Sequence, residues 1–280
     1  MQGVILQKKW FNEVLYNNND YGYSQSVLIK EPIVSVNSEF QSIEIFENPF
    51  FGKVLTLDGV MQTTERDEFF YHEMFVHVPL FSHQNPKKVL IIGGGDGGIL
   101  REVLKHSTVE SVVMVEIDGM VVSSCKEHMP SLSAGAFTNS KAEVIIGDGI
   151  DYVKNTTQTF DVIIVDSTDP INCGEVLFTK EFYQNAKNIL NEGGIIATQS
   201  GVPFFQSDEL KHIKDKLGSL VKYFTFYVVP VPTYVGGFMC LSLATDSLLQ
   251  LNNKELIAKR LSKENIALKY YNADIHIASF

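Results

Sequence analysis

Two rhythms of apolar and polar positions divide the chain. Up to about Thr64, short segments mix β-branched or aromatic residues with polar ones, at Ser24–Lys30, Glu39–Phe46 and Lys53–Leu57. Turn signals separate them at Glu31-Pro32, Asn48-Pro49 and Asp58-Gly59. This pattern predicts a small antiparallel β unit. Asp67–Val78 then reads as a helix, because Phe70, Met74 and Val78 recur four residues apart. The boundary is placed there, with residues 1–66 as an N-terminal β-strand domain and residues 67–280 as a second domain.

After Asn85-Pro86 the rhythm becomes strand–loop–helix. Val89–Ile92, Val112–Val115, Val144–Ile146, Val162–Val165 and Ile195–Thr198 are short apolar runs, as strands buried on both faces of a parallel sheet would be. Helical stretches lie between them, among them Ile99–His106 and Thr179–Leu190, the latter closed by Asn191-Glu192-Gly193-Gly194. The alternation predicts an α/β fold with a doubly wound, Rossmann-like sheet. Lys222–Val229 and Gly237–Ala244 read as a strand pair at its edge.

Composition narrows the function classes. With 45 % hydrophobic and 20 % charged residues among 280, the chain is of ordinary globular make-up. No apolar run approaches the ~20 residues of a membrane-spanning helix, and Met1–Lys9 lacks a secretory pattern, so no membrane and no secretion are expected. A net charge of −10 argues against nucleic-acid binding, which needs a basic face. Two readings of the acidity stand, plain solubility and attraction for cationic small molecules. Cys125, Cys173 and Cys240 are too scattered for a disulfide framework or a zinc site and fit a cytoplasmic location. Cys125 reads as packing, and His77, His83, His106, His128, His212 and His276 as mostly surface residues.

The chemistry begins at Gly93-Gly94-Gly95-Asp96-Gly97-Gly98, which follows a strand and opens a helix. Glu116 ends the next strand 20 residues after Asp96, where an acid commonly bonds ribose hydroxyls. Asp96 would repel a pyrophosphate on this loop, so the pattern points away from a dinucleotide and toward an adenosyl-sulfonium compound. Gly147-Asp148-Gly149 follows the third strand, where the carboxylate can accept a hydrogen bond from an adenine amino group. Asp166-Ser167-Thr168-Asp169-Pro170 ends the fourth. Its paired carboxylates could hold an amine and take its proton, or could cap a turn, and spacing alone does not choose. By pattern alone, Tyr71 and Tyr234 read as core aromatics.

Together these segments resemble the polyamine aminopropyltransferases, most closely the spermidine-forming branch. The resemblance runs from Trp10 to Phe280 and is carried by Phe50 to Phe69, Tyr71-His72-Glu73-Met74, the glycine loop, Val115-Glu116-Ile117-Asp118, Asp166 to Pro170, Pro232-Thr233-Tyr234 and Tyr270-Tyr271-Asn272. It implies a methyltransferase-type sheet and transfer of an aminopropyl group from decarboxylated S-adenosylmethionine to putrescine. The products are spermidine and 5′-methylthioadenosine. The donor is a co-substrate; no cofactor and no metal are implied.

By motif, Gln41 and Asp96 would hold the amino end of the aminopropyl arm, with Gln62 on the donor side. Glu116 would take the ribose, and Asp148 with Gly149 the adenine. Tyr71, Gln199 and Tyr234 would line the acceptor channel, with His72 at its junction with the donor and Trp10 at its far end. Asp166 corresponds to the general base, with Ser167, Thr168 and Asp169 beside the same amine. The segment from Asp169 to Leu177 corresponds to a gating loop. Asn172-Cys173 replaces the usual Gly-Pro near the adenine, so Cys173 is placed on the donor side. The chain also ends at Phe280, where many relatives continue, with little expected effect on catalysis. The family implies a homodimer or homotetramer. Two other readings are weighed against it, an S-adenosylmethionine-dependent amine N-methyltransferase and a non-catalytic polyamine-binding protein.

Overall fold

The computed structural model describes residues 9–18, 21–167 and 179–280. The chain forms two compact units, Met1–Asp67 and Glu68–Phe280.

In the first unit, β1 (Lys9–Asn12) pairs antiparallel with β2 (Ser26–Ile29). A second, antiparallel sheet runs in chain order through β3 (Glu31–Asn37), β4 (Ser42–Asn48), β5 (Gly52–Leu57) and β6 (Val60–Thr64). The Asp58-Gly59 signal is a two-residue hairpin turn with positive φ at both positions (48° and 73°), the twist-matched kind. Glu31-Pro32, in contrast, is not a turn but the start of β3. Proline is tolerated there because β3 is an edge strand and the register slips between Pro32 and Val34. Phe11, Phe46, Val54 and Met61 form one buried cluster of this unit, and Ile43, Ile45 and Leu55 are buried in the unit as well.

The second unit opens with α1 (Glu68–Ser82), four residues longer at its end than the spacing predicts. Its sheet is built on β7 (Lys88–Gly93), β8 (Ser111–Glu116), β9 (Ala142–Ile146), β10 (Phe160–Asp166) and β11 (Leu190–Gly201). These five are parallel, in the order β11-β10-β7-β8-β9. The edge is completed by β12 (Tyr223–Pro230) and β13 (Phe238–Thr245), with β13 antiparallel to β11 and β12 outermost. Alternate residues enter two separate cores. Val89, Ile91, Met114, Ile164 and Ala197 pack on α1's side. Leu90, Ile92, Val115, Ile163 and Ile196 pack against Phe182, Tyr183 and Ile213 on the other. Burial on both faces is why these strands read as unbroken apolar runs.

Crossover helices follow the strands. They include α2 (Gly98–Leu104), α3 (Gly119–His128), the short α4 (Pro130–Ser133), α5 (Gly149–Asn155) and α6 (Lys180–Asn188). After α6, Asn191–Gly194 forms a bulge near the start of β11, between the Phe160–Leu190 and Val162–Ile195 pairs. Chain order reverses between β7 and β10, so a crevice opens at their carboxyl ends. No helix among the described residues is long and apolar enough to cross a membrane.

Candidate active site

The glycine loop sits at that reversal because only glycine fits it. Gly93 has φ +83°, and a Cβ there would lie 1.9 Å from the Asp166 carbonyl oxygen. Gly94 N–H donates to that same oxygen at 3.2 Å, joining the loop to the end of β10. Asp96 Oδ1 accepts from Gly98 N–H at 2.7 Å, while Oδ2 lies 3.2 Å from His72 Nε2. A Cβ on Gly98 would meet the His72 ring at 2.2 Å, so the imidazole lies flat on the first residue of α2.

Asp166 is the second element. Tyr71 Oη donates to its Oδ1 at 2.6 Å. Burial raises the Asp166 carboxyl to about 6, and the Asp96 charge adds to this against the stabilising contributions of Tyr71 and His72. Burial also drives the Tyr71 phenol well above its ordinary value, reinforced by the Asp166 charge, so Tyr71 stays a proton donor. The Tyr234 ring stands 6.2 Å from that of Tyr71. Tyr71 is thus both a core aromatic, 8 % exposed, and a polar partner of Asp166. Gln199 is buried on β11, one position beyond the Val165–Thr198 pair and so beside Asp166. Ser167 Oγ is buried without a hydrogen-bond partner among the described residues. Thr168, Asp169, Cys173 and the whole Asp169 to Leu177 segment lie outside the described residues.

The remaining acids continue the row. Glu116 ends β8, accepts from Asp118 N–H at 2.9 Å, and is raised to about 7 by burial. Asp148 caps α5 through Ile150 N–H at 2.7 Å and is exposed. A Cβ on Gly149 would strike Ile92 Cγ2 at 2.5 Å. Asp148, Glu116, Asp96 and Asp166 therefore stand at or just beyond the carboxyl ends of four adjacent strands, β9, β8, β7 and β10. Three strand spacings amount to ~14 Å, enough for an extended nucleoside with a cationic side chain. Trp10, Gln41 and Gln62 belong to the N-terminal unit, on β1, before β4 and on β6. Among the described residues no group of three potential metal ligands gathers.

Sequence reasoning missed the layer behind the site. His72 Nδ1 lies 2.7 Å from Glu68 Oε2, and Arg101 Nη2 donates to the same oxygen at 2.7 Å. The four-residue step from Glu68 to His72 on a helix was the available signal. The histidines also need correction. His77, His83, His106 and His276 are buried, whereas His212 is exposed and His128 lies between. His77 is held between Glu102 at 2.9 Å and His106 at 2.8 Å, so its burial depends on partners more than 20 residues away.

Comparison with known proteins follows these two units. The spermine/spermidine synthase domain matches residues 68–254, and the spermidine synthase tetramerisation domain matches residues 9–65. A polyamine aminopropyltransferase of Pseudomonas syringae pv. tomato is 47 % identical over 271 residues, covering 96 % of this chain and 93 % of its own. Polyamine aminopropyltransferase 1 of Pseudomonas aeruginosa is 48 % identical with the same coverage. A crystal structure of spermidine synthase with the transition-state analogue AdoDATO aligns at TM-score 0.92 and 40 % identity, over 100 % of this chain and 94 % of that one. Spermidine synthase from Thermotoga maritima aligns at 0.88 and 39 %, with the same coverage.

Proposed function

The chain belongs to the spermine/spermidine synthase family, and on that premise we infer that it is a spermidine synthase. It is a polyamine aminopropyltransferase, not an amine methyltransferase. Its reaction joins decarboxylated S-adenosylmethionine and putrescine into spermidine and 5′-methylthioadenosine. The observation that carries the reading of the site is the half-buried Asp166, joined to the glycine loop and hydrogen-bonded by Tyr71, beside a row of acids. Both substrates are cations, and such a row attracts and orients them.

In our assignment, the donor lies along the carboxyl ends of β7 to β9. Glu116 takes its ribose hydroxyls, Asp148 and Gly149 the adenine, and Asp96 its terminal ammonium. Gln41 and Gln62 serve the donor, and Trp10 the far amine of putrescine. Tyr71, Gln199, Ser167 and Tyr234 shape the acceptor channel, and Thr168, Asp169 and Cys173 complete the two subsites. The acceptor nitrogen attacks the carbon bonded to sulfur. The carbon–sulfur electron pair leaves on sulfur, converting the sulfonium to a thioether, and Asp166 takes the amine proton. A carboxyl at about 6 is a better base than an unperturbed aspartate near 3.9. The sulfonium is already an activated alkyl donor, so these residues hold, orient and deprotonate. Division of labour between an assembly unit (residues 1–66) and a catalytic unit (residues 67–280) is part of the proposal. So are a homodimer or homotetramer and a cytoplasmic location, supported by the tetramerisation-domain match and the free, buried Cys125 and Cys240.

The test is one assay with the donor and a panel of diamines, read by mass spectrometry. Putrescine should give spermidine with equimolar 5′-methylthioadenosine, and Asp166→Asn should lower kcat by about 10²–10⁴. No aminopropyl product with any amine would refute the function; an active Asp166→Asn would refute the base.

A further inference from the structure

His72 is held on three sides. Its ring lies over Gly98, its Nε2 faces Asp96 at 3.2 Å, and its Nδ1 faces Glu68 at 2.7 Å. Both neighbours are carboxylates, which accept hydrogen bonds and, when ionised, donate none. A neutral imidazole has one N–H and would leave one carboxylate facing a lone pair. Only an imidazolium, with two N–H groups, satisfies both. Glu68 in turn is fixed by Arg101, whose guanidinium is itself fixed by the Leu132 carbonyl at 2.6 Å and Glu102 Oε1 at 2.7 Å. Charges therefore alternate from the site inward: Asp96, His72, Glu68, Arg101, Glu102.

We propose that Glu68, locked by Arg101, is a positioning residue for the reaction: it fixes His72 as an imidazolium, and His72 fixes the Asp96 carboxylate that receives the donor's ammonium. The proposal rests on the spermidine synthase reading. Glu68 does not touch the substrate and acts through His72. A row of buried charges adds little net stability compared with apolar packing, but it sets geometry. The groups bearing on His72 are Asp96 from the glycine loop, Glu68 and Tyr71 on α1, and Asp166 at the end of β10. Arg101 on α2 and Lys269 stand behind Glu68, the lysine at 3.8 Å. Burial disfavours the imidazolium, and the two carboxylates overcome this, raising His72 to about 10.

A double-mutant cycle tests the link. Glu68→Gln keeps the size and removes the charge. With His72 present it should raise the donor KM about tenfold and change kcat by less than about threefold, the signature of lost uniform binding. In a His72→Gln background the same change should alter the donor KM by less than about twofold, because the path to Asp96 is already cut. Equal factors in both backgrounds would overturn the proposal by showing that Glu68 acts on the fold directly. Nitrogen-15 spectra of the free enzyme give an independent readout. The His72 ring should carry two protons at pH 8 in the parent and one in Glu68→Gln; two protons in both would overturn the proposal. If Glu68→Gln does not fold, Arg101→Lys takes its place in the cycle, with the same effects expected in smaller degree. The spectra do not depend on turnover, so failure of this link is distinguishable from failure to transfer an aminopropyl group.

Discussion

The hydrogen bond from Tyr71 to Asp166 makes the base assignment testable in the shape of a pH profile. Asp166 is a base only when ionised, and its carboxyl titrates near 6 in the folded protein. The acid limb of kcat/KM should therefore fall below that pH. Tyr71→Phe leaves the ring and removes the donor, 2.6 Å from Oδ1, that stabilises the carboxylate. A hydrogen bond to a charged group contributes about 1.5–3 kcal/mol. At 1.36 kcal/mol per unit, losing it moves the limb upward by about one to two pH units. The variant's deficit should then be about fivefold to fiftyfold at pH 6 and should shrink toward a constant by about pH 9, where both carboxyls are ionised.

The assay is kcat/KM for the acceptor from pH 5.5 to 9.5 with saturating donor, in parent and variant. Titration of the diamine itself contributes equally to both, so the ratio of the two profiles isolates the enzyme group. The sign is fixed: removing a donor from a carboxylate raises its pKa, so the limb moves up. Parallel profiles, displaced by a constant factor at every pH, would show that Tyr71 only packs against substrate. They would also show that Asp166 does not set the acid limb.

Two further outcomes follow from the geometry. Gly93→Ala places a Cβ 1.9 Å from the Asp166 carbonyl on a backbone at φ +83°, so the junction of β7 and β10 must part. We expect a loss of about 3 kcal/mol or more by urea unfolding; a stability within 1 kcal/mol of the parent would contradict the described loop. The His72–Glu68 pair should also leave a mark on thermal stability. His72 is raised from 6.5 to about 10, so its contribution is complete below pH 6.5 and lost as pH rises through 10. Glu68 is lowered from 4.5 to about 2, so its contribution is present above pH 4.5 and lost as pH falls through 2. The Tm should thus decline from pH 7 to 10 more steeply in the parent than in His72→Gln, and identical slopes would exclude the imidazolium.

What was legible in the sequence is what depends on local rules. The glycine loop is readable because its constraints lie within six residues: positive φ at Gly93, Gly94 and Gly97, a strand before and a helix after. The positions of the acids are readable because an apolar run marks a buried parallel strand and the acid closing it marks its carboxyl end, as Glu116 and Asp166 do. β1, β3 and β6 were missed. Pro32 resembles a turn signal unless one knows that its strand lies at an edge, and edges are a property of the sheet.

The polar residues of α1 mark the deeper limit. Hydropathy would turn Glu68, His72, Glu73 and His77 toward water, yet all four are buried. Each is satisfied by something distant in sequence or by its neighbour on the helix. Glu73 accepts the N–H groups of Lys269, Tyr270 and Tyr271. His77 bonds Glu102 and His106, and Glu68 bonds His72 and Arg101. A helix whose charged residues stand among Phe69, Phe70, Phe75 and Phe81 has no solvent face to assign them to. Buried polar groups require partners, so the apolar surroundings themselves imply that each acid and each imidazole organises a neighbour. Their spacing fixes which ones. Glu68 and His72 share one face of α1 and look toward Asp96, while Glu73 and His77 share another and hold the Lys269, Tyr270 and Tyr271 backbone and α2. The same helix thus ties the glycine loop to the core, and the Asp96 carboxylate is reached from Glu68 through His72 rather than directly.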